Sequence, residues 1–73
     1  MKHQYSELLT KLENGIHKKM PTAKVIFRYE DSYIRMTVVH KGWTLGYHIP
    51  YEELDEEPWS ISYYIRNVTE EFL

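Results

Sequence analysis

Three short alternating stretches, separated by two-residue turns, constrain the fold of this 73-residue chain more than any other feature. Residues 24–30, 33–40 and 43–49 alternate apolar and polar side chains, and a period of two indicates β-strands. The turns are Asp-Ser at 31–32 and Lys-Gly at 41–42, and glycine adopts the positive φ that such turns need. The pattern predicts a three-stranded antiparallel meander.

The register of this meander follows from the turn lengths. If both turns have two residues, each large apolar side chain on one face lies opposite another. The predicted pairs are Tyr29 with Ile34, Phe27 with Met36, Val25 with Val38, His40 with Trp43, Val38 with Leu45, Met36 with Tyr47, and Ile34 with Ile49. A slip of one residue would place each apolar set on the wrong face, so this register is favoured over its neighbours.

Helical periodicity flanks the strands on both sides. Apolar residues at Tyr5, Leu8, Leu9, Leu12, Ile16 and Met20 form one stripe, which predicts a helix over 3–19 that Pro21 ends and Asn14-Gly15 weakens. A second stripe at Ile61, Tyr64, Ile65, Val68 and Phe72 predicts a helix after Pro58. For residues 51–57 a helical turn and an acidic loop both stay open. The fold class is therefore α+β, in the order α-β-β-β-α, with two helices packed on one sheet face and residues 1–73 as a single domain.

Composition narrows the class of protein. There is no cysteine, so disulfides and thiolate metal sites are excluded, and no apolar run approaches the length that spans a bilayer. No signal-peptide pattern opens the chain. These features predict a cytoplasmic protein that does not bind membranes. No nucleophile motif, phosphate loop or metal-ligand spacing is present, which predicts a protein that is not an enzyme and needs no cofactor or metal.

An acidic segment is the first candidate site. Residues 52–57 hold five carboxylates, and their mutual repulsion would be relieved by a basic partner. Two aromatic residues border it, and aromatic anchors dominate the energy of many interfaces. The predicted partner-binding residues are Tyr51, Glu52, Glu53, Asp55, Glu56, Glu57 and Trp59. The sequence thus predicts a small protein-binding module, inhibitor or regulator with a basic partner, and it resembles in type the small regulators carried by phages and mobile elements.

The outer face of the sheet is the alternative. The register places Lys24, Arg28, Arg35 and His48 on the face away from the helices, with Tyr33 nearby, and such a face could bind nucleic acid. Charge is divided along the chain: residues 1–41 hold eight Lys/Arg against four Asp/Glu, and residues 42–73 hold one against seven. The other interpretation of this face is a solvated surface whose arginines are relieved by Glu30 or by the C-terminal acids.

Two further alternatives concern known topologies and self-association. The order α-β-β-β-α is also that of double-stranded RNA-binding domains, which hold phosphates with a lysine-rich start of the second helix. Here that position carries acids, so the sequence excludes this family. The third strand, Trp43-Thr44-Leu45-Gly46-Tyr47, lacks charge and lies at a sheet edge, so a homodimer through it stays open.

Overall fold

The computed structural model describes residues 5–56 and 59–73, apart from the side chains of Glu56 and Trp59. The elements in chain order are α1 (Ser6–Lys19), β1 (Lys24–Tyr29), β2 (Tyr33–His40), β3 (Trp43–Pro50), α2 (Tyr51–Glu56) and α3 (Trp59–Phe72). The predicted α+β architecture is confirmed, and the acidic segment, for which a helical turn and a loop were both open, forms α2. The predicted helix start near residue 3 and the role of Pro58 lie outside the described residues.

The sheet has the predicted order and register. β2 lies between β1 and β3, and both pairings are antiparallel. All seven predicted pairs are present. Ile34 of β2, for example, lies opposite Tyr29 of β1 on one side and opposite Ile49 of β3 on the other. The agreement follows from the pleat, because a slip of one residue would turn each apolar set toward the face that the helices leave open.

The core lies between this face and the helices α1 and α3. Leu12 and Ile16 of α1, Met36 of β2 and Val68 of α3 have no exposed surface, and Ile34, Val38 and Ile49 complete the fully buried sheet side. Burial of an aliphatic side chain contributes about 1.5–3 kcal/mol, so these residues supply most of the driving force for folding. Both long helices therefore lie on one side of the sheet and leave the other side open.

Gly15 has a structural role that helix propensity does not suggest. It lies inside α1, where glycine costs about 1 kcal/mol relative to alanine. A Cβ built at this position would lie 2.9 Å from Cγ1 of Ile65 in α3 and closer still to its Cδ1. Glycine is therefore the residue that lets α1 and α3 approach each other here, and the helix continues through it to Lys19.

The turn between β2 and β3 predicts a stabilising substitution. Lys41 and Gly42 both have positive φ, at 51° and 85°, as a type I′ turn requires. The left-handed region costs a lysine about 1–2 kcal/mol, and asparagine tolerates it better. Lys41→Asn is expected to raise the free energy of unfolding by about 0.5–1 kcal/mol in urea denaturation. Lys41→Gln removes the same charge without that backbone preference and is expected to give no gain. An equal gain from both variants would assign the effect to charge.

Candidate functional site

The basic residues predicted for the outer sheet face do lie together there. Lys24 and Arg28 of β1, Arg35 of β2 and His48 of β3 are exposed on the side that the helices do not cover. Arg28 pairs directly with Arg35, and Arg35 pairs with His48, so three of the four form a row across all three strands. Neighbouring strands lie about 4.8 Å apart, which brings these side chains within reach of a single ligand.

The row is only partly neutralised. Nε of Arg28 lies 3.1 Å from Oε2 of Glu30, the ion pair expected from the sequence, while 76% of the Arg28 side chain stays exposed. Arg35, at the centre of the row, has no ion-pair partner among the described residues. Like charges directly opposite each other destabilise a sheet. An anion bound over Arg35 would relieve that repulsion.

An aromatic pair adjoins the row. The rings of Tyr33 and His48 have centroids 4.4 Å apart and planes inclined by 30°. Ile26, on the same face, is also exposed. Thr37, Thr44 and Gly46 lie on the same face and have short side chains or none. The face therefore combines cationic side chains with an aromatic pair. These two features are what a binding surface for single-stranded nucleic acid needs.

Some of the acidic residues of α2 are hydrogen-bonded within the fold and so are not free to contact a partner. Glu52 is exposed, but Glu53 and Asp55 accept hydrogen bonds from a tyrosine of α3 and from Tyr5, which directly precedes α1. The Tyr64 hydroxyl donates to Oε1 of Glu53 at 3.0 Å, and the Tyr5 hydroxyl donates to Oδ1 of Asp55 at 2.9 Å. Two of the predicted partner-binding carboxylates thus help to hold α2 on the body of the protein.

Tyr51 also serves the fold. Its hydroxyl donates to the carbonyl of Glu30 at 2.6 Å, and its ring stacks on Tyr5 with centroids 5.1 Å apart. The fold brings the first turn, with Glu30 and Asp31, beside the start of α2. Sequence reasoning did not assign these two acids to the acidic site, although the pairing of Tyr33 with Pro50 in the register would have placed them there. The remaining predicted residues, Glu57 and the side chains of Glu56 and Trp59, lie outside the described residues.

The outer edge of β3 is less open than its sequence suggests. The Tyr64 hydroxyl lies 3.3 Å from the carbonyl oxygen of His48, and Pro50 at the strand end has no amide N–H to donate. Self-pairing of this edge would therefore have only the first half of β3 available. The homodimer stays a prediction, with a shorter stretch to carry it.

The three histidines that the structure describes, His17, His40 and His48, do not form a common site. His40 is buried, as the boundary core position predicts, with its ring edge against Phe72, and its Nδ1 has no hydrogen-bond partner among the described residues. His17 donates from Nε2 to the Ala23 carbonyl at 2.9 Å. In the part of the chain that the structure describes, no three His, Asp or Glu side chains are grouped as metal ligands. Over the same residues, no helix is long and apolar enough to cross a membrane.

Two tyrosines predict how stability depends on alkaline pH. Burial, and then hydrogen bonds to Glu71 and Glu53, raise the pKa of Tyr47 and Tyr64 well above the ordinary value of 10.0. The pKa of each tyrosine is higher in the folded state than in the unfolded state, so the protonated hydroxyls stabilise the fold fully below pH 10. That stabilisation is lost as the pH rises further. We expect the free energy of unfolding to fall above pH 10. The double variant Tyr47→Phe/Tyr64→Phe should lose stability less steeply than the parent over this pH range. The free energy of unfolding is measured by urea denaturation from pH 9 to 11.5. An equally steep fall with pH in the double variant and the parent would contradict this prediction.

Comparison with known proteins gives no further assignment: no family model, no curated protein and no solved structure matches this chain.

Proposed function

We propose that this chain is a non-catalytic binding module that holds single-stranded nucleic acid on the open face of its sheet. The observation that carries the proposal is the row Arg28, Arg35 and His48, exposed side by side with Arg35 unpaired among the described residues. Phosphates would lie over the arginines, and a base would stack on the Tyr33–His48 pair. The proposal places the protein in the cytoplasm, where such ligands occur.

A single strand fits this surface better than a duplex. The face is a flat sheet about 10 Å across, without a helix or ribbon that could enter a groove. Duplex bases are already stacked on each other, so the ring of Tyr33 has nothing to stack on. Unpaired bases expose their faces, and stacking on an aromatic side chain is worth about 1–3 kcal/mol per base.

The sheet face takes precedence over α2 because Arg35, at the centre of its row, has no ion-pair partner among the described residues, although Arg28 is paired with Glu30. A partner bound to Glu53 or Asp55 would compete with the hydroxyls of Tyr64 and Tyr5. Nothing among the described residues competes for Arg35. The net charge of −2 weakens long-range attraction of an anion, so we expect modest affinity that depends strongly on salt.

The experiment is fluorescence anisotropy with a labelled single-stranded oligonucleotide over a range of salt concentrations. If Lys24, Arg28 and Arg35 all contact phosphates, log K should fall with log salt at a slope of about −2. Arg35→Ala should make the slope less steep by about 0.7 and weaken binding about fivefold at 0.1 M salt. Lys11→Ala, which removes an exposed lysine on α1, is the matched control. No binding at low salt, or equal losses in Arg35→Ala and Lys11→Ala, would overturn the proposal.

A protein-binding module or inhibitor acting through α2 is the second candidate. The observation in its favour is that the fold adds Glu30 and Asp31 to the acidic residues of α2 and fixes that helix in place, which reduces the entropic cost of binding. Glu52→Gln with Asp31→Asn removes two exposed charges and spares the hydrogen-bonded carboxylates. Capture of a basic protein from nuclease-treated lysate, lost in this variant but kept in Arg35→Ala, would favour this candidate.

A further inference from the structure

A concave site, separate from the open sheet face, lies on the helix side of the sheet, where the start of β3 meets the end of α3. Its volume is about 300 Å³, and it is lined by Trp43, Leu45, Glu71 and Phe72. Trp43 is 71% exposed, the largest apolar side chain that the described residues present to solvent. An exposed tryptophan at a cavity is unusual, because its apolar surface would ordinarily be buried.

The lining combines aromatic rings with an anchored carboxylate. The Tyr47 hydroxyl donates to Oε1 of Glu71 at 2.5 Å, which fixes the orientation of the carboxylate and leaves Oε2 for a ligand. Phe72 is held from behind by the buried ring of His40, with centroids 5.8 Å apart and planes at 82°. The aromatic and acidic groups are therefore positioned by contacts within the fold, before any ligand binds.

We propose that this pocket binds an organic cation of the quaternary ammonium class. A tryptophan ring is the best aromatic partner for a cation, and the Glu71 carboxylate supplies the opposite charge. A neutral apolar ligand would strip water from that carboxylate without replacing its interactions, which is unfavourable. A primary ammonium is strongly hydrated, whereas a trimethylated one gives up its weaker hydration more readily and also fills an apolar space.

The test compares choline with 3,3-dimethylbutan-1-ol, which has the same shape and no charge. Binding is followed by the indole N–H signals in ¹H–¹⁵N NMR spectra of the full chain. Choline should shift the signal of Trp43 in a saturable way and leave that of Trp59, which lies at the far end of α3, in place. The uncharged alcohol should bind at least about tenfold more weakly. Equal binding of the two compounds would overturn the proposal.

Variants assign the roles of the lining residues. Trp43→Leu keeps an apolar side chain but removes the ring and its indole signal, so its binding is followed by the backbone amide signals of Leu45 and Phe72 in the same spectra. It should weaken choline binding about 3- to 30-fold. Glu71→Gln should weaken it about fourfold or more, since it removes the charge and keeps the shape. Glu70→Gln, which changes the adjacent exposed acid, is the control and should bind as the parent does. If Glu70→Gln weakens choline binding as much as Glu71→Gln does, the pocket has no specific carboxylate and the proposal is wrong.

The same chemistry occurs in free choline-type metabolites and in trimethylated lysine side chains. A short peptide that carries trimethyl-lysine is therefore titrated beside choline. Tighter binding of the peptide would assign the ligand to a protein partner, and tighter binding of choline would assign it to a small molecule. Failure of both to shift the Trp43 signal would overturn the site, while leaving nucleic-acid binding on the opposite sheet face untouched.

Discussion

Gly15→Val is expected to lower the free energy of unfolding by about 2–3 kcal/mol, because inserting methyl groups into a packed contact costs about 1–3 kcal/mol and occasionally more. The new Cβ alone would lie 2.9 Å from Cγ1 of Ile65 and closer to Cδ1. Rotation of Ile65 about χ2 moves only Cδ1 aside. Moving Cγ1 requires a change of the χ1 rotamer, which also moves the nearby Cγ2, or a separation of α1 and α3. Better helix propensity than glycine offsets only a few tenths of a kcal/mol. Small domains are marginally stable, so this loss is a large share of the total.

Two further variants separate packing from propensity. Gly46→Val makes the same change on the open sheet face, where an added Cβ meets nothing within 4 Å, and is expected to be neutral or stabilising. Combining Gly15→Val with Ile65→Ala should recover part of the loss, with a coupling energy of about 1–2 kcal/mol in urea denaturation. Additive effects of the two substitutions would show that Gly15 and Ile65 do not constrain each other.

The same glycine shows where sequence reasoning stops. The pair Asn14-Gly15 predicts a weak point in a helix, and helix propensity alone does not explain why a glycine occurs at position 15. The reason depends on which residue of α3 crosses α1 at that height, which is a property of the packed fold. The meander, by contrast, was predictable pair by pair. Its register depends only on turn lengths and on the alternation of side chains, both of which are local in sequence.

The candidate sites divide in the same way. The row of Arg28, Arg35 and His48 follows from the register, so its positions were predictable. The engagement of Asp55 and Glu53 was not, because the chain has seven tyrosines and periodicity does not say which hydroxyl reaches which carboxylate. The pocket at Trp43 was also missed. Alternation assigns Trp43 to the covered face, but α3 ends at Phe72 and leaves this corner of the sheet uncovered.

Leu54→Ala is expected to have an effect of similar or greater size, and it tests how α2 is held. Among the residues of α2 whose side chains the structure describes, Leu54 is the one that is buried in the core, with 4% of its surface exposed. A six-residue helix is not stable by itself, so α2 depends on contacts with the rest of the protein. Truncation of a buried leucine costs about 2–5 kcal/mol. We expect a loss in that range in urea denaturation, with faster amide exchange over residues 51–56 than over β2.

Glu52→Ala is the matched control, since it changes an exposed residue in the same helix and should alter stability by no more than about 0.5 kcal/mol. The comparison also bears on function. If α2 is held mainly by Leu54, its loss should release Glu53 and Asp55 from their tyrosine donors while the sheet face keeps its arginines in place. Under conditions where Leu54→Ala stays folded, oligonucleotide binding should then match the parent. A stability change as small as that of Glu52→Ala would instead mean that the hydrogen bonds from Tyr5 and Tyr64 suffice to hold α2.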